Sequence, residues 1–163
     1  MLDKRKGADL IEPLLAALDS IGVHNVQIDV LGTGVLFDNL TNYSKRDNRI
    51  IVHGYVKDPQ KKFIIGSSHA MIILSRTEEF GINGVESMAL GVPVISLDLP
   101  GPKEYVRDNY NGFIVKDISE MAEKILKISR VLNNEYYKTL KINCFKTAEY
   151  FEINKIGKEV FIV

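Results

Sequence analysis

Glu78 and Glu86 stand with seven residues between them, and a tight Phe80-Gly81 turn lies in that interval. Carboxylates in such a setting do one thing well: each accepts hydrogen bonds from neighbouring hydroxyls, such as the diol of a ribose or hexose. Glu78 sits in a polar loop, residues 75–79, that follows an apolar run at 70–74. Glu86 sits in a helical pattern from about 82 to 90, which Gly91 stops before Pro93 opens a new apolar strand. In parallel α/β sheets, ligands bind where strands end and helices begin. The N–H groups of Gly81, Ile82 and Asn83 lie at that junction and can receive phosphate or sugar oxygens. Lys6 is the basic residue placed to offset diphosphate charge. The plain alternative for Glu86 is an acid near a helix start, stabilised by the macrodipole.

Other chemistries have little support in the residues. His24, His53 and His69 fall on separate elements without ligand spacing, and there is no Cys–His cluster or Asp-x-Asp triplet. No metal site is expected. Neither a G-x-S-x-G elbow nor a Walker phosphate loop is present, which removes the best-marked hydrolase and triphosphatase readings. Cys144 is the single cysteine. It cannot form an internal disulfide, suits a reducing, cytoplasmic setting, and lies in a helical pattern without a neighbouring His.

The elements that must position the two acids alternate. A helix is predicted from Gly7 to about Ser20, with Leu10, Ile11, Leu14, Leu15 and Leu18 at helical spacing. A strand at 26–31 ends at Gly32-Thr33-Gly34, a spacing that allows close backbone approach but also fits a plain turn. Residues 35–43 are ambiguous, with a short helix possible. A strand at 49–53 precedes a helix that starts at Pro59, with Asp58 as its cap, and runs to about Ser67. Strands at 70–74, 93–97 and 113–115 follow, with a short helix at 103–107 between the last two. Ser119 is read as the cap of a helix to about Leu132. Further helices are expected at 135–150 and 153–161. This alternation predicts an α/β fold: a doubly wound parallel sheet with helices on both faces and right-handed crossovers.

At 163 residues, 45% hydrophobic and 26% charged, the chain reads as one domain with a real core, residues 1–163. A formal net charge of zero argues against a nucleic-acid binder driven by phosphate neutralisation. The Lys4, Arg5 and Lys6 cluster fits a solvated helix start as well as a basic face. No signal peptide is visible, the apolar runs are too short to span a bilayer, and membrane association is not indicated.

The stretch 78–95, EEFGINGVESMALGVPVI, resembles the nucleotide-sugar-binding motif of retaining glycosyltransferases with the GT-B fold, the group 1 or family 4 type. That pattern has two glutamates seven residues apart, a small-residue helix and Gly-x-Pro-Val, and Glu78 and Glu86 have the spacing. The likeness extends to Leu2-Asp3-Lys4-Arg5-Lys6-Gly7, to His53-Gly54-Tyr55-Val56, to Gly101-Pro102-Lys103-Glu104, to Asn111-Gly112-Phe113-Ile114-Val115 and to Tyr150-Phe151. It covers nearly the whole chain.

The resemblance implies the donor-binding, C-terminal Rossmann-like half of a hexosyltransferase that uses a nucleotide diphosphate sugar with retention and needs no metal or other cofactor. Glu86 would grip the ribose, and Glu78 the hydroxyls of the transferred sugar. Backbone groups at Phe80, Gly81, Ile82 and Asn83 would support sugar and diphosphate, Tyr55 would lie near the base, and Lys6 would stabilise the leaving diphosphate. Glu79 stands where the family often has Gly, and Asn83-Gly84 replaces a more apolar pair. The family's Arg five residues before the Lys falls on Met1 here, and the first central strand is expected to be missing. So is the N-terminal acceptor domain, which leaves a missing domain or a partner chain as the expected complement. The alternative reading is a truncated, non-catalytic interaction module derived from such a domain.

Overall fold

The structure is a computed structural model, and it describes residues 1–151. The helix expected at 153–161 lies outside the described residues. A 3-10 turn, Ala8–Leu10, leads into α1, Ile11–Ser20. Then come β1 (Ile28–Leu31), α2 (Phe37–Ser44), β2 (Ile50–Gly54), α3 (Asp58–Ser67) and β3 (Met71–Ile73). The order continues with α4 (Ile82–Met88), β4 (Val94–Leu97), α5 (Pro100–Lys103), β5 (Gly112–Val115), α6 (Ile118–Val131) and α7 (Glu135–Phe151). The ambiguous 35–43 stretch is therefore the helix α2.

All strand pairs are parallel, as the alternation predicts, but the ladder is divided. β1 pairs with β2, and β3, β4 and β5 form a second sheet in that order. No ladder hydrogen bond joins β1 to β3 among the described residues. The division falls between β1 and β3, where a doubly wound sheet has its central strand. One core nevertheless spans both parts. Leu14, Leu15 and Leu18 of α1 and Met121 and Ile128 of α6 pack with Val30 and Ile50 from the first sheet and Ile95 and Phe113 from the second. The opposite face of the second sheet carries a separate cluster, with Ile73 and Val94 under Val85 and Met88 of α4 and Cys144 and Ala148 of α7. Val94 and Ile95 thus point to opposite, covered faces, which is why β4 reads as a continuous apolar run.

Three local expectations need correction. Asp58 is not a cap: Lys57 is the N-cap of α3, and Asp58 lies in its first turn. The helix expected at 103–107 sits earlier, because Pro100 starts it at a position where its missing N–H costs nothing. Asp117, not Ser119, caps α6. Its Oδ1 accepts from Glu120 N at 2.9 Å, while Glu120 Oε2 accepts from Lys116 N, one residue before the cap, at 2.9 Å.

The glycines at 32 and 34 serve the chain itself. Gly34 has φ 159° and its Cβ position would lie 2.5–2.6 Å from backbone atoms of Leu2. Leu2 N donates to Thr33 O (2.8 Å), and Leu2 O accepts from Leu36 N (3.0 Å). The close approach that a G-x-G permits is here spent on seating the N-terminal segment beside the end of β1.

Candidate nucleotide-sugar site

The site forms at the C-terminal ends of β1 and β3, where the N-terminal segment crosses from one sheet to the other. Asp3 Oδ1 accepts from Lys6 N (2.8 Å), and Asp3 O accepts from Ala8 N (3.1 Å), so the basic segment is a turn. Gly7 closes it at φ 72°, with its Cβ position only 2.0 Å from Leu74 O. A side chain there would drive the turn off the end of β3. Arg5 O accepts from Arg76 N at 2.8 Å. The Arg76 guanidinium donates to Lys4 O and holds Asp9 through two bonds of 2.8 and 2.9 Å. That pairing holds the Asp9 carboxyl below its ordinary range.

This clasp brings Lys6 and Glu78 together across the sequence. Lys6 Nζ lies 2.6 Å from Glu78 Oε2, and Ser75 Oγ donates to the same oxygen at 3.1 Å. Glu78 is the more enclosed partner, with 17% of its side chain exposed against 31% for Lys6. Glu78 Oε1 has no hydrogen bond among the described residues. An ammonium has three protons, so Lys6 also keeps donors to spare.

The turn after Glu78 is fixed from beneath. Tyr105 Oη donates to Gly81 O at 2.9 Å. Gly81 has φ 82°, and a Cβ there would meet Tyr105 Oη at 2.8 Å and Glu78 Cγ at 2.9 Å. At Gly84 the Cβ position is 2.3 Å from the same hydroxyl oxygen. The two glycines let a buried tyrosine stand directly under the start of α4. Burial first, and then the nearby Glu78 and Glu104 charges, push the Tyr105 phenol well above its ordinary pKa. It is a fixed donor at all working pH values.

Glu86 projects from α4 toward α3. Lys61 Nζ lies 2.5 Å from Glu86 Oε2 and 3.0 Å from Asn83 Oδ1. Both acids thus share one arrangement: one carboxylate oxygen is held by a lysine from a distant element, and the other has no hydrogen bond among the described residues. The backbone N–H groups of Gly81, Ile82 and Asn83 likewise have no such partner. Ile82 is 44% exposed and Tyr55 is 80% exposed. Phe80 differs from the others: its ring turns into an aromatic cluster, edge-on to Tyr105 at 5.4 Å and tilted against Phe151 at 5.7 Å.

Lys6, Glu78, Gly81, Ile82, Asn83 and Glu86 therefore gather at the strand ends around α4. Arg76, Asp9, Tyr105 and Lys61 were not singled out in the sequence, since each acts on a residue far away in the chain, and neither was Ser75, which stands three residues before Glu78. Asp3, three residues before Lys6, carries a local signal of its role, a short polar side chain accepting from a nearby backbone N–H in a turn. Among the described residues no group of His, Cys, Asp and Glu could hold a metal ion. Cys144 is buried, and that burial pushes its thiol up to about 12, far from a reactive thiolate.

The pattern of the family described as glycosyl transferases group 1 matches residues 1–147. The chain belongs to that family. It is 28% identical over 155 residues to an uncharacterized glycosyltransferase, MJ1178, of Methanocaldococcus jannaschii, which covers 93% of this chain and 42% of the relative. It is 28% identical over 116 residues to the poly(ribitol-phosphate) alpha-N-acetylglucosaminyltransferase of Staphylococcus aureus, covering 68% of this chain and 22% of that one. The chain thus spans less than half the length of these two relatives. Its fold is that of Anabaena Alr3699/HepE, solved in complex with UDP-glucose, at a TM-score of 0.78 and 23% identity over 98% of this chain and 46% of that one. TarM gives 0.73 and 23% over 99% of this chain and 34% of its own. The group 1 glycosyltransferase domain has the parallel α/β architecture expected of half a GT-B fold. None of its described helices is long and apolar enough to cross a membrane.

Proposed function

We propose that this glycosyltransferase domain binds the donor, a nucleotide diphosphate sugar, and that its sugar is transferred to an acceptor with retention at the anomeric carbon. One observation carries the reading: Lys6 and Glu78, far apart in sequence, meet at 2.6 Å beside the open N–H groups of residues 81–83. A lysine, a half-occupied carboxylate and free amides at one strand end match the three parts of a sugar diphosphate. Glu86 Oε1 takes the ribose diol. The amides and Lys6 take the diphosphate, where negative charge develops as the bond from the anomeric carbon to the phosphate oxygen breaks. Preorganised donors aimed at that charge stabilise the transition state without moving. Glu78 Oε1 takes a hydroxyl of the transferred sugar. The acceptor hydroxyl oxygen bonds to the anomeric carbon on the face the diphosphate leaves, its proton passes to the departing diphosphate oxygen, and no metal or other cofactor enters this scheme.

The acceptor site belongs to a further domain or a partner chain, as the greater length of the relatives suggests. The names of neighbours lend the donor class support: HepE was solved with UDP-glucose, and a pneumococcal O-GlcNAc transferase with UDP and GlcNAc. The test is a transfer assay on the protein combined with its acceptor-binding part. The anomeric configuration of the product is then read by NMR. Retention supports the reading, and an inverted product overturns it.

A further inference from the structure

The pairing of Lys61 with Glu86 has no counterpart among the roles given so far. Lys61 comes from α3, after β2, and reaches α4 to touch both Asn83 Oδ1 (3.0 Å) and Glu86 Oε2 (2.5 Å). Neither partner is a chance surface contact: 28% of the Lys61 side chain and 34% of the Glu86 side chain are exposed. The ammonium bridges α3 and α4. α3 buries only Ile65 and leaves Phe63 73% exposed.

We infer that Lys61 is a positioning residue for the nucleoside: it fixes the Glu86 carboxylate so that Oε1 faces the ribose diol, and it offsets the acid's charge beside an anionic donor. The inference rests on the donor reading of Glu86. A carboxylate on a three-bond side chain has several rotamers, and holding it in one before binding removes an entropic cost from association. Two anchors define the geometry, because Asn83 fixes the ammonium while the ammonium fixes the acid. The charge argument works in the same direction. An isolated Glu86 carboxylate would repel a nucleoside diphosphate approaching Gly81 and Ile82, and a lysine at 2.5 Å cancels most of that field.

The two roles predict different ligand dependence, and positioning is the one claimed here as dominant. Calorimetry is run with UDP, GDP and ADP on the wild type, and the best binder is kept together with its 2′,3′-dideoxy form. Lys61→Met weakens binding of the ribonucleotide about tenfold, the scale of one hydrogen bond to a charged group. It leaves the dideoxy nucleotide's affinity unchanged, because that ligand offers Glu86 no diol. Lys61→Arg restores most of the loss. Lys61→Met in a Glu86→Gln background adds little. An equal loss for both ligands overturns the inference, since Lys61 would then act through charge alone and not by placing Glu86. So does an unchanged ribonucleotide affinity in Lys61→Met. Failure of the donor reading looks different: Glu86→Gln would then treat ribo and dideoxy ligands alike, or no nucleotide would bind the folded wild type. Melting curves for each variant confirm that the comparison is made between folded proteins.

Discussion

The two ends of the strands carry charge clusters of opposite character. At the N-terminal ends of β1 and β2, Arg49 donates to Asp47 through Nε and one terminal nitrogen, and to Asp19 through both terminal nitrogens at 2.6 and 3.0 Å. Asp19 also meets His24 at 2.9 Å. Each Asp carboxylate there uses both oxygens, and both acids are held below their ordinary pKa chiefly by their bonds to Arg49. At the C-terminal ends, Lys6 and Lys61 each hold one oxygen of an acid and leave the other open. The first cluster is closed on itself and pins loops. The second is held in place yet has hydrogen-bonding capacity left for a ligand. Saturation of the acids is what separates these two clusters.

The largest expected effect comes from removing a charge at the open end. Lys6→Ala should lower transfer by the assembled enzyme about a hundredfold or more, the scale seen when a donor to a developing oxyanion is lost. It should leave Tm nearly unchanged, because the pair it breaks is partly exposed. A large fall in Tm with little change in rate would move Lys6 into the structural class.

Next is the support of the turn. Gly84→Val places atoms against the Tyr105 hydroxyl, where even a Cβ would sit at 2.3 Å. Overpacking of that kind costs about 1–3 kcal/mol, and it should also shift α4 and weaken nucleotide binding. Tyr105→Phe loses only the bond to Gly81 O and should cost about 1 kcal/mol in a denaturant titration. If Tyr105→Phe is neutral, the turn is held by packing alone.

The smallest effect belongs to the closed end, and it has a pH signature. The folded-state pKa of Asp47 lies below the unfolded value of 3.8 because of Arg49. Its contribution is full above 3.8 and is lost as pH falls through the lowered folded value. Arg49→Ala should therefore lower Tm by a few degrees near neutral pH, and the gap to wild type should close on acidification. Nucleotide affinity should not change. An equal Tm gap at neutral and strongly acid pH would show that Arg49 acts by packing.

The difference between the two ends also explains what could be read in the sequence. The alternation of strands and helices, the Glu78 and Glu86 spacing and the helix from about 82 to 90, observed as Ile82–Met88, were legible because each rests on local periodicity or on a short motif. The saturation of the acids was not, since it depends on partners contributed by distant segments: Lys61 for Glu86, Lys6 for Glu78, and Arg76 for the turn that carries Lys6. Phe80 shows the converse. A turn residue beside a motif reads as part of the site, but its ring is claimed by Tyr105 and Phe151. The division of the sheet between β1 and β3 was expected from the resemblance, not from hydropathy, because both strands are apolar whether or not a neighbour lies beside them. Cap positions slipped by one or two residues, as at Asp117, because Asp and Ser compete for the same role at close spacing.

The central claim is that the open acids grip a nucleotide sugar. Calorimetric titration of UDP, GDP and ADP into the wild type and Glu86→Ala tests it most directly. The prediction is saturable binding of one nucleotide by the wild type and at least a roughly tenfold weaker affinity in Glu86→Ala, with the Tm of the two proteins alike. A folded wild type that binds none of the three, or a Glu86→Ala protein that binds as tightly as wild type, would contradict it.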